Sequence, residues 1–296
     1  MKDLADKVAF ITGGASGIGL GMTRAFAAAG MKVMMADVRQ SHIDAALAAF
    51  ENTNLAVEGL QVDVSDRAAM AAAADETERR FGPVQLLCNN AGVNLFAPVD
   101  ESTYDDWDWV LGVNLGGVVN GVQTFVPRMK AAGKGGHVVN TASMAAFISG
   151  PSAGIYTAAK FAVRGLSETL RWSLAQHGIG VSCLCPGLVK SAIHESDMIR
   201  PAALGDTGKV DKEFMARLPA IQGLGMEPDE VAAKVMAGVL ANDLYIFPHP
   251  EFKDELREIF DTTLSYMPQG VADPARLAVE EGRRARLAAA KAAAAR

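Results

Sequence analysis

Short, nearly continuous apolar runs alternate with amphipathic stretches along most of the chain. The runs Lys7 to Thr12, Lys32 to Ala36, Val57 to Val62, Val84 to Cys88, His137 to Ala142 and Ile179 to Cys185 read as strands covered on both faces. Helical rhythm fills the gaps, up to about Ala29, over His42 to Glu51, through Phe81, from Tyr104 to Met129 and from Ile155 to His177. This alternation predicts an α/β fold, a doubly wound parallel sheet of about seven strands with helices on both faces and ligands at its carboxyl edge.

The rhythm breaks at Leu188 to Gly225, a long segment carrying Pro201 and Pro219 that follows the sixth strand and could close over a ligand as a lid. Pro228-Asp229-Glu230 then starts a helix, Asp243 to Phe247 resembles a last short strand, and Glu251 to Leu264 is helical. The expected organisation is one domain over residues 1–248, with a lid region at 188–225, and a C-terminal helical extension and tail at 249–296. The Ala- and Arg-rich tail from Asp273 reads either as a helix packed on a partner subunit or as a frayed end.

Composition narrows the function. Lys and Arg number 28 against 34 Asp and Glu, a net charge of −6 with no basic stripe before the final residues, so no nucleic-acid partner is expected. No apolar run approaches the ~20 residues of a membrane span, and no signal-peptide core follows the first residues; a cytoplasmic chain with no membrane partner is expected. Cys88, Cys183 and Cys185 lie in apolar runs and read as buried thiols, without metal-site spacing; no metal is expected.

The chemistry concentrates at strand ends. The first strand runs straight into Gly13-Gly14-Ala15-Ser16-Gly17-Ile18-Gly19 and then a helix, the Rossmann-type context in which glycines let the backbone approach a pyrophosphate and the helix N-terminus meets its charge. Asp37 closes the second strand 18 residues beyond Gly19, near the ~20-residue offset of a ribose-binding carboxylate, and predicts NAD over NADP. Arg39 could reach a 2′-phosphate, or be solvated or stacked on adenine. Asp63, followed by Val64, either accepts from an adenine amino group or caps the next helix, where Ser65 and Asp66 compete. In Asn89-Asn90-Ala91-Gly92, short residues allow backbone to lie against a ribose, while Asn90 could instead tie neighbouring strands together. Asn114 beside glycines inside a helix marks a local distortion with a task. The cluster Tyr104, Trp107 and Trp109 reads as packing or subunit interface.

Ser143 ends the fifth strand, and Tyr156 and Lys160 stand one turn apart on the following helix. A phenol with a free pKa of about 10 is a poor base at neutral pH, and a neighbouring ammonium would bring that pKa down. Alone, Tyr-x-x-x-Lys describes many surface helices; here a cofactor loop, an acidic ribose ligand and a distorting amide accompany it.

Together these motifs, in this order over Val8 to Phe247, resemble the short-chain dehydrogenase/reductase family. The resemblance implies that Tyr156 is the acid/base on the substrate oxygen, that Ser143 hydrogen-bonds that oxygen, that Lys160 tunes Tyr156 and binds the nicotinamide ribose, and that Asn114 holds a water in the proton relay. It also implies that Tyr156, Pro186, Gly187 and Val189 take part in binding the cofactor and that Ser191 contacts the nicotinamide carboxamide. Within the family, Thr103 to Trp109, Val113 to Gly121, Phe125 to Met129 and Leu244 to Glu251 are similar to bacterial Cα-dehydrogenases of lignin β-aryl-ether breakdown, which oxidise a benzylic alcohol to a ketone with NAD. The late Tyr245-Ile-Phe-Pro-His-Pro replaces the family's glycine-rich last strand, leaving dimer or tetramer open for an expected homo-oligomer. The expected activity is NAD(H)-linked interconversion of a bulky aryl secondary alcohol and its ketone, with Asn94, Phe96, Met144, Phe147, Leu188 and Ile193 around the substrate. The rivals are an NADP-dependent carbonyl or steroid reductase and a non-catalytic dinucleotide-binding regulator.

Overall fold

A computed structural model describes residues 1–205, 210 and 212–294; the expected lid therefore has residues 206–209 and 211 outside the described residues, and the tail its residues 295–296. The strands are β1 (Val8–Thr12), β2 (Lys32–Asp37), β3 (Val57–Gln61), β4 (Val84–Asn89), β5 (Gly136–Thr141), β6 (Ile179–Leu184) and β7 (Tyr245–Ile246). They form one seven-stranded sheet in the order β3-β2-β1-β4-β5-β6-β7, and every pair is parallel. The order reverses between β1 and β4: the chain runs outward through β2 and β3, then returns to the other side of β1. A crevice opens at such a switch point, outside the strands' carboxyl ends.

The helices are α1 (Gly17–Ala28), α2 (Gln40–Ala48), α3 (Arg67–Phe81), α4 (Tyr104–Leu111), α5 (Gly117–Ala132), α6 (Gly154–Leu174), α7 (Lys212–Gly223), α8 (Pro228–Ala241), α9 (Lys253–Ser265) and α10 (Pro274–Ala294). Strand side chains alternate between two apolar layers. Val8 and Phe10 of β1 join Met70 of α3 and Phe125 of α5 on one face. Ala9 and Ile11 join Met22 and Phe26 of α1 and Val231 and Val235 of α8 on the other. Burying both faces explains why the strands read as unbroken apolar runs. Cys88, in the second of these layers, and Cys183 and Cys185, beside Met144 and Phe147, are buried free thiols.

Two features depart from the sequence reading. The helical run Tyr104–Ala132, 29 residues, is long and apolar enough to span a bilayer by length and composition, although no such run was expected. Of its apolar window 56% is buried inside the protein, the packing of a core helix. Second, the lid region contains a helix, α7, which Pro219 and weak amphipathicity conceal. The tail, for which a helix was one of the two expectations, is helical over Pro274–Ala294, with Leu277 and Val279 exposed.

Candidate active site

A cavity of about 610 Å³ occupies the crevice at the switch point. At one end lie Gly13, Ser16, Gly17, Ile18, Asp37, Arg39, Asp63 and Val64; Asn90, Ala91, Gly92, Ser143, Tyr156 and Lys160 follow; Pro186, Gly187, Leu188, Val189 and Ser191 lie on the β6 side. These are the positions the sequence singled out, brought to a single wall by the parallel strands that end there. Gly19 lies just beneath it. A Cβ at Gly19 would stand 1.8 Å from the Gly13 carbonyl oxygen, so only glycine lets α1 start this close to the turn. Ser16 precedes α1 without a side-chain cap bond, and no acidic residue sits in its first turn. Its N-terminal N–H groups are therefore left for an anion, and a dinucleotide pyrophosphate fits this cradle.

Asp37 is buried, and its Oδ1 accepts the Arg39 backbone N–H at 3.1 Å. At Asp63 the two alternatives separate. Asp66 caps α3, accepting from Ala68 and Ala69 at 2.7 and 3.1 Å, while Asp63 Oδ1 accepts from Ser65 N–H and Oγ at 2.9 and 2.7 Å at the cavity's edge. Asn90 does the strand-tying work: Nδ2 donates to Thr12 O at 3.2 Å and Oδ1 accepts from Thr141 Oγ1 at 3.2 Å, joining the ends of β1, β4 and β5. Its backbone still lines the cavity.

Asn114 sits in a π-helical turn, Gly112–Gly116, between α4 and α5. This is the local distortion that an amide among glycines suggested, and π turns of this kind cluster at functional sites. Its Oδ1 accepts Val93 N–H at 2.8 Å and its Nδ2 donates to Val93 O at 2.8 Å, which pins the segment after β4. The side chain stands behind the wall: a Cβ on Gly92 would lie 3.0 Å from Asn114 Oδ1 and 3.6 Å from Lys160 Nζ.

Ser143 Oγ accepts Ala145 N–H at 3.1 Å and donates to Pro186 O over a long 3.4 Å, a proton that a closer acceptor could recruit. Burial pushes the Tyr156 phenol above its usual pKa, and hydrogen bonding with Ser143 works against that rise. Lys160 is 3% exposed, and burial lowers its ammonium to about 8. It donates to Thr141 O at 2.9 Å and lies 5.3 Å from the centre of the Tyr156 ring. Burial thus outweighs the expected pull of Lys160 on the phenol.

The substrate expectations divide. Asn94, Phe96, Leu188 and Ile193 line the cavity. Met144 and Phe147 do not. The 3-10 turn Met144–Ala146 sends Met144 to a second, apolar cavity of about 460 Å³ beside Phe247, His249 and Phe252. Phe147 packs against Tyr245, Phe247 and Phe260, with the Arg164 guanidinium 3.9 Å from its ring centre. Both residues are buried there because β7 and α9 offer them an aromatic cluster.

Missed by the sequence reading were Trp109, Ile199, Leu204 and Gln222, which also line the cavity. Trp109 is apolar and buried like any core residue, and the others lie where the apolar rhythm is lost. Ion pairing ties the segment after β6 to α4 at this end: Arg200 meets Asp106 Oδ1 at 2.9 Å, the two side chains being 6% and 0% exposed, with the guanidinium 5.2 Å from the Trp109 ring centre.

Residues 7–200 match the family described as short chain dehydrogenase. A relative named C alpha-dehydrogenase, from Sphingobium sp. (strain NBRC 103272 / SYK-6), is 45% identical over 276 residues, 93% of this chain and 90% of its own. The apo form of LigD from Sphingobium sp. strain SYK-6 superimposes with a TM-score of 0.76 at 40% identity, covering 90% of this chain and 100% of that one. A short chain dehydrogenase/reductase from Burkholderia phymatum, in complex with NAD, superimposes with a TM-score of 0.85 at 35% identity over 92% of this chain and 100% of its own. Because the family pattern spans most of the chain and the 45% identity extends across about nine-tenths of both sequences, the protein belongs to the short-chain dehydrogenases and is an oxidoreductase.

Proposed function

We propose that the protein interconverts a bulky aryl secondary alcohol and its ketone with NAD(H), the alcohol being benzylic as in lignin-derived β-aryl-ether dimers. The observation that carries this reading is one continuous cavity: an anion cradle and Asp37 at one end, Ser143, Tyr156 and Lys160 along it, and Phe96, Trp109, Ile193, Ile199 and Leu204 at the other. The names of the Sphingobium relatives and the NAD in the Burkholderia structure support it.

In this reading the Gly13 to Gly19 turn and the start of α1 hold the pyrophosphate, Asp37 the adenosine ribose, and Asp63 and Val64 the adenine. Lys160 and Asn90 to Gly92 would hold the second ribose, and Pro186, Gly187, Val189 and Ser191 the nicotinamide end. The nicotinamide, when bound, supplies the acceptor or donor of hydride at the carbinol carbon. Tyr156 Oη takes the hydroxyl proton in oxidation and returns it in reduction. Ser143 turns its hydroxyl from the long Pro186 contact onto the substrate oxygen, stabilising charge that develops there. At pH 7 the Lys160 amine is still charged, since burial lowers its pKa only to about 8, and that charge favours the phenolate. The apolar far end suits an aromatic ring and excludes water. A homo-oligomer, dimer or tetramer, is part of the proposal, supported by exposed Leu264, Tyr266 and Met267 at the end of α9 and in the turn after it.

The test is NADH formation with aryl carbinols, including β-aryl-ether dimers, against aliphatic secondary alcohols and steroids. Aryl carbinols should be preferred in kcat/KM by about 10-fold or more, the discrimination an apolar pocket can supply. Faster turnover of the aliphatic or steroid panel, or no turnover of any aryl carbinol, would refute the substrate.

A further inference from the structure

We propose that Glu195 sets cofactor choice together with Asp37, by holding the Arg39 guanidinium away from a 2′-phosphate; this rests on the NAD reading and extends it. Arg39 follows the ribose carboxylate Asp37 and lines the cavity at that end. A cation there is what a phosphorylated ribose would recruit. The guanidinium is already engaged: Nη1 donates to Glu195 Oε2 at 2.7 Å, and the two side chains are 19% and 34% exposed.

Glu195 comes from a distant part of the chain. It lies on the 3-10 segment Ala192–Ile199, which follows β6 and the cavity residue Ser191. Arg39 is thereby flanked by two carboxylates, Asp37 through its own backbone N–H and Glu195 through its side chain. The local sum of these charges is −1, from Asp37 −1, Arg39 +1 and Glu195 −1. A 2′-phosphate entering here adds a further −1.5 to −2 or so. To be bound by Arg39 it must displace Glu195 and leave that half-buried carboxylate without its cation. A plain ribose makes no such demand. Glu195 is thus a specificity-determining residue, separated from Asp37 by most of the sheet's chain and visible only once the segment Ala192–Ile199 meets the turn between β2 and α2.

Calorimetric binding of AMP and of adenosine 2′,5′-bisphosphate reads this directly, without turnover, in the wild type, Glu195→Gln, Arg39→Gln and the double variant. Glu195→Gln should tighten adenosine 2′,5′-bisphosphate about 10-fold, the worth of a hydrogen bond to a charged group, and change AMP less than about twofold. In the Arg39→Gln background the same substitution should change the bisphosphate less than about threefold, because the released cation is gone. The ratio of kcat/KM for NADP to that for NAD should follow. An unchanged bisphosphate affinity in Glu195→Gln, or an equal gain without Arg39, overturns the role of Glu195 while leaving NAD preference intact. A wild type that binds the bisphosphate more tightly than AMP overturns the NAD reading, and this proposal with it.

Discussion

His249 Nδ1 accepts the backbone N–H of Gly187 at 3.0 Å, while its Nε2 lies 3.0 Å from Leu188 O. Accepting at Nδ1 leaves the proton of the neutral ring on Nε2, so one imidazole satisfies both groups of the loop after β6. The Phe252 ring closes over the same loop: a Cβ at Gly187 would lie 2.4 Å from it, which is why glycine stands there. His249 is 5% exposed and sits where the C-terminal extension begins, so the extension reaches back to shape the wall of the cavity. His249→Ala should raise KM for NAD roughly tenfold, the worth of two hydrogen bonds, and lower the melting temperature only modestly. His249→Gln, which can both accept and donate, should recover part of the loss. A fall in stability with unchanged KM would reduce His249 to a packing residue.

Tyr156→Phe removes the oxygen that moves the proton and nothing else. General acid/base catalysis contributes roughly 10² to 10⁴-fold, so kcat should fall by that order. Calorimetric NAD affinity should stay within about threefold, since the Gly13 to Gly19 turn, Asp37 and Lys160 are untouched by the change. Ser143→Ala should cost about 10² to 10³-fold, as for one lost donor to a developing oxyanion. Turnover retained in Tyr156→Phe would remove the acid/base assignment.

The Arg200 and Asp106 pair ties the segment after β6 to α4 with both charges out of water. Asp106 also accepts the Thr103 backbone N–H at 2.8 Å, completing the cap of α4. Breaking a buried pair by removing one partner leaves an uncompensated charge and costs about 3 to 5 kcal/mol. Arg200→Met should therefore raise KM for the alcohol more than KM for NAD, and lower thermal stability. The double variant Asp106→Asn/Arg200→Met should be less destabilised than the sum of the singles, measured as a thermodynamic cycle. Strict additivity would show that the pair is not coupled.

How legible the molecule was in its sequence follows from the range of the forces involved. The six longer strands and their helices are written locally, because a parallel sheet buried on both faces demands unbroken apolar runs between amphipathic ones. The cofactor end is likewise local, since strand, turn and helix are consecutive from Val8 to Ala28. Even the π turn around Asn114 left a mark, an amide among glycines in a helical stretch. The substrate end left almost none. Met144 and Phe147 lie between Ser143 and Tyr156 in the chain, yet a 3-10 turn sends them to the β7 side. Trp109 looks like core because it is core on one side and cavity wall on the other. Gln222 rides on a helix hidden by Pro219, and Glu195 acquires its partner only when the 3-10 segment after β6 meets Arg39 in the turn between β2 and α2. Contacts between segments far apart in sequence leave no periodicity to read.

Lys160 gives the active site a pH signature that can be measured without substrate. Its folded pKa is lowered to about 8 from 10.5, with burial as the largest cause, and the Thr141 carbonyl at 2.9 Å does not restore it. A lysine whose folded pKa lies below its unfolded value binds its proton more tightly when unfolded. Below about 8 both states are protonated and the cost of burying the charge is fully present; between about 8 and 10.5 the folded state releases its proton first, so stability rises with pH; above that window the cost is gone. At about 1.4 kcal/mol per unit, the whole swing is on the order of 3 kcal/mol. Lys160→Met has no such proton. The difference in unfolding free energy between wild type and Lys160→Met, taken from urea melts at pH 7.5 and pH 10, should therefore shift toward the wild type as pH rises. Added NAD, whose ribose Lys160 would bind in the proposed reading, should diminish the swing, because such contacts would favour the charged amine. A difference independent of pH across that window would mean that Lys160 keeps an ordinary affinity for its proton, and that its charge is available at the site throughout the alkaline range.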